Sequence, residues 1–278
     1  MDPIPNTGHP RRWAILGVLA LPAVAARAAL PGFDHIVVVV EENHAYGEVI
    51  DNANAPYLSS LAAHGAAMTR SFAVTHPSEP NYLALFSGST QGITDDSCPH
   101  TYSAENLGHQ LIAAGRTFTG YSESMPSAGY TGCTSGRYAR KHNPWVNFSN
   151  VPASSNLRYS DFPTDFSKLP SVAVVVPDLC SDMHNCHVSI GDTWLKDNLG
   201  GYAAWAGTHN SLLVVTFDED DRSASNQIPT LFAGPMVKPG SYGECITHYS
   251  VLRTVEDMYG LPCVGAACTA SPIADVWH

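Results

Sequence analysis

The fold of this chain is decided by the stretch His35-Ile-Val-Val-Val-Val-Glu-Glu-Asn-His44, in which five apolar residues run directly into two carboxylates and an amide. Comparable β-rich runs occupy residues 117–121, 172–176 and 212–217, and a weaker one occupies residues 228–233. Three of the five runs are continuously apolar instead of alternating, which is typical of strands that are buried on both faces of a sheet.

Helical patterns lie between these runs. Apolar residues recur at helical spacing within residues 57–62, 107–112, 194–205 and 251–259, and the last pattern ends at the stop signal Gly260-Leu-Pro262. The alternation of strands with helices predicts an α/β sandwich that is built around a mostly parallel central sheet.

The segment from residue 122 to residue 169 has a different composition. It is rich in Ser, Gly, Asn and Pro and shows little periodicity, which predicts long loops or a cap over one edge of the sheet. Neither an internal repeat nor a linker divides the chain, so the sequence predicts a single domain after its N-terminal segment.

The N-terminal segment resembles a secretory signal peptide. Arg11 and Arg12 precede an apolar run at residues 13–24, and Ala26-Arg27-Ala28 offers a cleavage site. The alternative is a membrane anchor, but the run is shorter than the roughly 20 apolar residues that a spanning helix needs. We therefore predict a signal peptide at 1–28, a single domain at 29–278, no integral membrane segment after cleavage, and a secreted or periplasmic location.

All seven cysteines follow the predicted cleavage site, and an exported protein is expected to pair them. Proximity along the chain favours the pairs Cys98–Cys133, Cys180–Cys186 and Cys263–Cys268, which leaves Cys245 without a partner. The alternative is a zinc site in the stretch from residue 180 to residue 187, which holds four possible ligands, but structural zinc sites usually space their ligands in two separated pairs.

The charge of the chain limits its partners. With 14 Lys and Arg against 25 Asp and Glu, the formal net charge is −11. A protein that coats nucleic acid needs a basic face, so no nucleic-acid partner is expected. A small phosphorylated substrate remains compatible with this charge, because a bound metal can reverse the local field.

Two of the predicted strands end in acidic clusters, at residues 41–44 and 218–221. The carboxyl ends of parallel strands are where the functional groups of such sheets gather. Carboxylate and amide oxygens at that edge suit one divalent cation of the Mg²⁺, Ca²⁺ or Mn²⁺ class. The alternative is a pair of solvated acidic loops without a metal.

The stretch Thr75-His-Pro-Ser-Glu-Pro-Asn-Tyr-Leu-Ala-Leu-Phe-Ser-Gly88 predicts a helix with Ser78 as its N-cap and Gly88 at its end. An ordinary capping serine is one interpretation. The functional one places the Ser78 hydroxyl beside free backbone N–H groups, where it could attack a bound phosphoryl group. Motifs of other enzyme classes, namely G-x-S-x-G, the P-loop, H-E-x-x-H and G-x-G-x-x-G, are absent.

Four segments of the chain together resemble one known family. They are Val37-Val-Val-Val-Glu-Glu-Asn43, His76-Pro-Ser-Glu-Pro-Asn-Tyr82, Lys141-His-Asn-Pro-Trp145 and Thr216-Phe-Asp-Glu219. They are similar to the phosphoesterase family of bacterial acid phosphatases and phospholipases C, which belongs to the alkaline phosphatase superfamily. This resemblance implies an alkaline-phosphatase-like three-layer sandwich.

The resemblance also implies site residues. It places metal ligands at Glu42, Asn43, Asp218 and Glu219, and it makes Ser78 both a metal contact and the nucleophile. The catalytic histidines fall on His142 and His184. Residue chemistry adds Asn81 and Lys141 as candidate contacts for the phosphate, although Asn81 could equally brace the helix. His248 is interpreted as an interior hydrogen-bonding residue.

The implied activity is that of an acid phosphatase, a phosphomonoesterase that works through a phosphoserine with metal assistance. The implied substrate is a phosphorylated small molecule or a phosphoinositide. One alternative is a phospholipase C-type phosphodiesterase on the same scaffold, in which residues 122–169 would select the substrate. Another is a secreted binding module that keeps the fold without the activity.

Overall fold

The computed structural model of the chain describes residues 1–3 and 30–278. Most of the predicted signal peptide at 1–28 therefore lies outside the described residues. Among the helices of the described part, none has the length and apolar character needed to cross a membrane.

Twelve strands occur in the described residues. In chain order they are β1 (His35–Glu41), β2 (Ala66–Met68), β3 (Ser71–Phe72), β4 (Phe118–Ser122), β5 (Thr134–Ser135), β6 (Tyr138–Ala139), β7 (Asn156–Arg158), β8 (Val172–Val176), β9 (Ser211–Phe217), β10 (Thr230–Ala233), β11 (Gly240–Tyr242) and β12 (Ile246–Thr247).

Eight of these strands form the central sheet, in the order β11-β2-β10-β9-β1-β8-β4-β7. Within this sheet only β10 runs antiparallel to its neighbours, β9 and β2, while the other strand pairs are parallel. The prediction of a mostly parallel sheet is confirmed. The continuously apolar runs became β1, β8 and β9, which lie together at its centre.

In the part of the chain that the structure describes, six α-helices accompany the sheet. They are α1 (Tyr46–Val49), α2 (Pro56–His64), α3 (Ser78–Ser87), α4 (Leu107–Ala113), α5 (Val188–Ala206) and α6 (His248–Met258). Helix α5 continues through the pair Gly200-Gly201, and Ile112 of α4 is exposed.

The core consists of two apolar layers, one on each face of the sheet. Val38 and Val40 of β1 pack in one cluster with side chains of α3, α4 and α6, and Val37 and Val39 pack in the other with side chains of α2 and α5. Successive residues of a strand point to opposite faces, so a continuous valine run supplies both layers. The three-layer sandwich is confirmed.

The segment 122–169 contains more structure than loops alone. It holds the hairpin β5–β6, the edge strand β7, and short 3₁₀ turns at Arg140–His142, Pro144–Asn147, Ala153–Ser155, Tyr159–Asp161 and Phe166–Lys168. Trp145 from this segment packs directly on Gly120 of β4, where an added Cβ would lie 2.1 Å from the indole ring. The segment is therefore a packed cap over this end of the sheet.

The three predicted disulfides, Cys98–Cys133, Cys180–Cys186 and Cys263–Cys268, are all present, and Cys245 is a free, exposed thiol. The Cys180–Cys186 bond removes both sulfurs from the zinc site that was the alternative.

Candidate active site

The two acidic strand ends lie side by side. Strands β1 and β9 are parallel neighbours, with Glu41 opposite Phe217 in the register, so the residues that follow each strand emerge together. The backbone N–H of Asn43 donates to Asp218 Oδ1 at 3.1 Å. Asn43 adopts a left-handed conformation (φ 55°), which Asn tolerates better than most residues.

Ser78 meets this pair of strand ends. Its Oγ atom donates to Glu42 Oε2 at 3.2 Å, and the nearby Ser78 hydroxyl acts to lower the pKa of Asp218. Ser78 is the first residue of α3, and Pro77 occupies the N-cap position. The prediction of Ser78 as the N-cap is therefore wrong by one residue. Its hydroxyl is bound to the Glu42 carboxylate and does not cap the helix, whereas Gly88 (φ 66°) ends the helix as predicted.

Glu42 is the central group of the site. It is fully buried, and its Oε1 atom accepts the Tyr82 hydroxyl at 2.6 Å and lies 3.0 Å from His142 Nε2. The Tyr82 ring stacks on the His142 ring with 5.0 Å between centroids. This tyrosine, one turn after Ser78 on α3, was missed at the sequence level because a helical tyrosine is ordinarily a packing residue.

His142 and His184, the two predicted catalytic histidines, lie close together. Their ring centroids are 5.7 Å apart, and ligand atoms of Glu42, His142 and His184 all lie within 4.8 Å of one another. His142 is buried, while His184 is partly exposed. The structure thus brings one carboxylate and two imidazoles to a single point.

Asp182 holds this cluster together and was not predicted. Its Oδ1 atom accepts the backbone N–H of His184 at 2.8 Å, and its Oδ2 atom lies 3.3 Å from His142 Nδ1. Its backbone carbonyl accepts the N–H of Glu42 at 2.9 Å. The sequence drew attention to this segment only for its cysteines, because no apolar strand runs directly into Asp182.

Burial governs the charges of the site. Burial, then the nearby Asp218 and Asp182, raises the pKa of Glu42 well above its usual range. Burial, followed by Glu219, raises the pKa of Asp218 to about 7. Burial also lowers the pKa of His142 well below its ordinary value, with smaller contributions from Lys141 and His184. Buried carboxylates without a neighbouring cation are costly, and a bound metal ion would relieve that cost.

The donor set fits a divalent cation. Neutral imidazoles and a carboxylate are common metal ligands, and Asp218 Oδ2, beside Ser78, is buried without a hydrogen-bond partner among the described residues. The set differs from the all-oxygen ligands expected from the strand ends, because two imidazoles replace oxygens. Imidazole ligands suit transition metals more than Mg²⁺ or Ca²⁺.

Glu219 lies next to the cluster but is engaged elsewhere. Its Oε2 atom is 2.7 Å from His76 Nδ1, and His76 Nε2 is 3.2 Å from Asp220 Oδ1. Burial, followed by Asp96, raises the pKa of Glu219 to about 7. The structure therefore joins Glu42, Asn43 and Asp218 around Ser78 directly, and joins Glu219 to them only through its sequence neighbour.

The two predicted phosphate contacts have different surroundings. Asn81 is buried, and its amide accepts the N–H groups of Val74 and Thr75 and donates to two carbonyls. It braces the turn before Ser78, which was the second of its two predicted roles. Lys141 is partly exposed, and its Nζ atom binds Asp96 Oδ2 at 2.8 Å.

His248, at the start of α6, supports the site from behind. It is buried, and its Nε2 atom lies 2.9 Å from the carbonyl oxygen of Phe217. Its interpretation as an interior hydrogen-bonding residue is consistent with this contact, which fixes the end of β9 immediately before Asp218.

Comparison with known proteins places this site in a family. The sequence model described as "Phosphoesterase family" matches residues 48–262, a range that contains Ser78, His142, His184 and Asp218. The chain belongs to the phosphoesterase family. Its resemblance to that family is confirmed, and so is the prediction that it is an enzyme that hydrolyses phosphate esters.

Two relatives extend the comparison. The chain is 50% identical over 287 residues to a phosphatidylinositol-3-phosphatase of Mycobacterium tuberculosis, a match that covers 98% of this chain and 96% of that protein. It is 32% identical over 258 residues to an acid phosphatase of Aspergillus fumigatus, covering 84% of this chain and 56% of that protein. The chain thus spans little more than half the length of this fungal relative.

A solved structure supports the fold. A protein of the alkaline phosphatase superfamily from Vibrio parahaemolyticus aligns with a TM-score of 0.60 at 13% identity, covering 88% of this chain and 73% of that one. This likeness concerns the fold alone, and it agrees with the alkaline-phosphatase-like sandwich expected from the sequence.

Proposed function

We propose that the chain is a phosphomonoesterase that uses Ser78 as its nucleophile and passes through a phosphoserine. The observation that carries the proposal is the Ser78 hydroxyl, which is hydrogen-bonded to Glu42 at 3.2 Å at the first residue of a ten-residue helix. The helix N-terminus favours an anion there, so a phosphoryl group can be bound next to the hydroxyl that attacks it.

The residues of the site divide the work of the reaction. Glu42 and Asp218 orient the Ser78 hydroxyl, and Glu42 is placed to take its proton as the Oγ–P bond forms. The bond from phosphorus to the alcohol oxygen then breaks, and that oxygen needs a proton. We assign this step to His184, because it is partly exposed, whereas His142 is buried beneath the Tyr82 ring. Water then hydrolyses the phosphoserine along the reverse path.

Of the three clustered ligand residues, Glu42 and His142 would hold a divalent cation, while His184 is reserved for the proton transfer. Asp218 would add its Oδ2 atom, which has no hydrogen-bond partner among the described residues. When bound, the cation would lower the pKa of the hydroxyl and screen the charge of the phosphate. Lys141 is a cationic side chain whose charge interacts with Glu42 and Asp218. Burial disfavours its charged form, but the bond to Asp96 and the nearby Glu42 and Asp218 outweigh burial and raise its pKa, so Lys141 stays charged.

We propose phosphoinositide monoesters as a substrate class, on the strength of the near full-length relative named phosphatidylinositol-3-phosphatase. We also propose that residues 1–28 form a signal peptide, that residues 29–278 form one domain, and that the mature protein is secreted or periplasmic. Three disulfides support an oxidising destination.

The test is a substrate panel with the Ser78→Ala variant. We expect wild-type protein with added divalent metal to hydrolyse an aryl phosphate and phosphatidylinositol 3-phosphate, and Ser78→Ala to lose at least about 10³-fold in kcat because no nucleophile remains. Mass spectrometry of acid-quenched wild-type enzyme should find phosphate on the peptide that contains Ser78.

The matched control is Ser87→Ala, at the opposite end of the same helix. Among the described residues, the Ser87 hydroxyl bonds only to backbone carbonyls and to Gln91. This variant should keep most of the activity. If Ser78→Ala retained a tenth of the wild-type rate, or if only a choline phosphodiester were cleaved, the proposed activity would be wrong.

A further inference from the structure

Asp96 occupies an unusual place beside the nucleophile. It lies in the segment between α3 and α4, and its side chain is 30% exposed. Its Oδ1 atom accepts the backbone N–H of Glu79 at 2.9 Å, and its Oδ2 atom accepts Lys141 Nζ at 2.8 Å. One carboxylate therefore bridges two donors that belong to different parts of the site.

Both donors are placed to serve a phosphate. Glu79 directly follows Ser78, so its N–H is one of the donors at the start of α3 that have no partner within the helix, and an anion is stabilised there. Lys141 directly precedes His142, and its charge is felt by Glu42 and Asp218. A phosphoryl group attached to Ser78 Oγ would place its oxygens near these donors, which the Asp96 carboxylate already engages.

The segment that carries Asp96 is fastened in place. Cys98, two residues after Asp96, forms a disulfide with Cys133 of the cap segment 122–169. His100 Nε2 lies 3.9 Å from the buried carboxylate of Glu79 and 3.1 Å from Ser97 Oγ. Asp96 is thus held over the first turn of α3 by covalent and polar contacts, and its position does not depend on Lys141 alone.

We infer that Asp96 is an internal competitor of the substrate phosphate. Its carboxylate takes the Glu79 N–H and the Lys141 ammonium when the site is free, and a phosphate must displace it from them. The inference rests on the proposed phosphatase function and adds a specificity determinant to it. Asp96 lowers the affinity of the site for phosphate monoesters and for released inorganic phosphate, and it regains its donors as the product leaves.

The test compares Asp96→Asn with Asp95→Asn. Asp95 is the neighbouring exposed carboxylate, bonded only to Ser97 among the described residues, so its variant removes the same charge without touching the site. We expect the inhibition constant of inorganic phosphate and the KM for an aryl phosphate to fall about two- to fivefold in Asp96→Asn, the factor expected for a partly exposed ion pair. Neither should change in Asp95→Asn.

A second variant, Asp96→Ala, removes every acceptor and should bind phosphate at least as tightly as Asp96→Asn. A destabilised loop could weaken binding but not tighten it, so a fall in both constants cannot come from damage to the fold. Unchanged or weaker phosphate binding in Asp96→Asn would overturn the inference and make Asp96 a support that holds Lys141 in its working position.

The outcome can be separated from that of the proposed function. Calorimetric titration of inorganic phosphate into Ser78→Ala and into the double variant Ser78→Ala, Asp96→Asn measures the competition without any turnover. Tighter binding in the double variant upholds the role of Asp96 even if no substrate is hydrolysed, and equal binding rejects it even if the phosphatase activity is confirmed.

Discussion

At the end of β1, Glu41 and Glu42 are both fully buried, yet their side chains serve opposite layers. Glu42 points to α3 and binds Ser78 and Tyr82, whereas Glu41 has no side-chain hydrogen-bond partner among the described residues. Burial, then Asp182, Glu123 and Asp192, raises the pKa of Glu41 well above its usual range. Of these two adjacent buried carboxylates, Glu42 contacts the Ser78 hydroxyl and Glu41 does not.

The end of β9 divides its acids in a similar way. Asp218 accepts the N–H of Asn43 and lies near Ser78. Glu219 pairs with His76, and Asp220 accepts backbone N–H groups of the loop that follows it. Each strand end therefore places one carboxylate near the Ser78 hydroxyl, Glu42 from β1 and Asp218 from β9. The alternation of side chains along a strand explains this, because neighbours at a strand end cannot share a face.

The largest expected effect is the difference in kcat between substitutions of Glu42 and of Glu41. Glu42→Gln removes the charge that binds the Ser78 hydroxyl, and kcat should fall about 10²–10³-fold, the loss typical of one pre-organised electrostatic contact. Glu41→Gln changes a carboxylate on the other face and should keep the rate within about threefold. Steady-state assays at saturating metal measure both, and equal losses in the two variants would contradict the division of roles at β1.

The next effect is a pH-dependent loss of stability caused by His248, which contacts the carbonyl of Phe217 at the end of β9. Burial lowers the pKa of His248 to about 4, below the value of about 6.5 expected in the unfolded chain. The unfolded state therefore binds the extra proton first, and the free energy of unfolding should fall by about 3 kcal/mol as the pH drops from about 6.5 to 4. His248→Gln can still donate to the Phe217 carbonyl but cannot titrate.

Urea unfolding of wild type and His248→Gln at pH 7 and pH 4 measures this difference. Other groups titrate equally in both proteins, so the wild type should lose about 3 kcal/mol more than the variant. Two proteins that lose the same free energy over this interval would show that His248 does not carry the acid sensitivity.

A smaller effect is expected for Asp220, whose substitution should change the free energy of unfolding more than the rate, in contrast to Asp218. Burial opposes the charge of Asp220, but the N–H groups of Ala224, Arg222 and Asn226 outweigh it and lower its pKa. Asp220→Asn should therefore cost about 1–3 kcal/mol of unfolding free energy, with little loss of kcat. Because the folded pKa lies below the unfolded one, the cost is complete above about pH 4 and disappears as the pH falls through the folded value.

Thermal or urea unfolding at pH 7 and pH 3, alongside kcat, checks this prediction. A stability difference that stayed constant down to pH 3 would mean that the charge of Asp220 is not what holds the loop.

Much of the fold could be predicted because it depends on local patterns. The apolar runs before Glu41 and Asp218 could only be buried strands, and Gly88 could end α3 because glycine readily adopts a positive φ. The disulfides followed from the proximity of cysteines along the chain and from the expectation that the protein is exported. The position of the cap segment 122–169 could be predicted, but its secondary structure could not. Its strand β7, for example, pairs with β4 over three residues that show no distinctive sequence pattern.

The site was predictable only in part, for a physical reason. Ser78, Glu42 and Asp218 stand at strand and helix ends, which sequence patterns mark well. The partners Tyr82, Asp182 and Asp96 lie inside a helix or in loops, and their roles arise from tertiary contacts that no local spacing records. Glu219 was grouped with Asp218 because a sequence shows which residues are neighbours but not which face each one uses.

The unpaired thiol of Cys245 has a practical consequence. Every other cysteine of the chain is locked in a disulfide, and Cys245 stands exposed near the start of β12. A maleimide dye should therefore label the native protein at one position without mutagenesis. Such a single fluorophore would report diffusion and vesicle attachment directly, and blocking it before purification would prevent covalent pairing of molecules during storage.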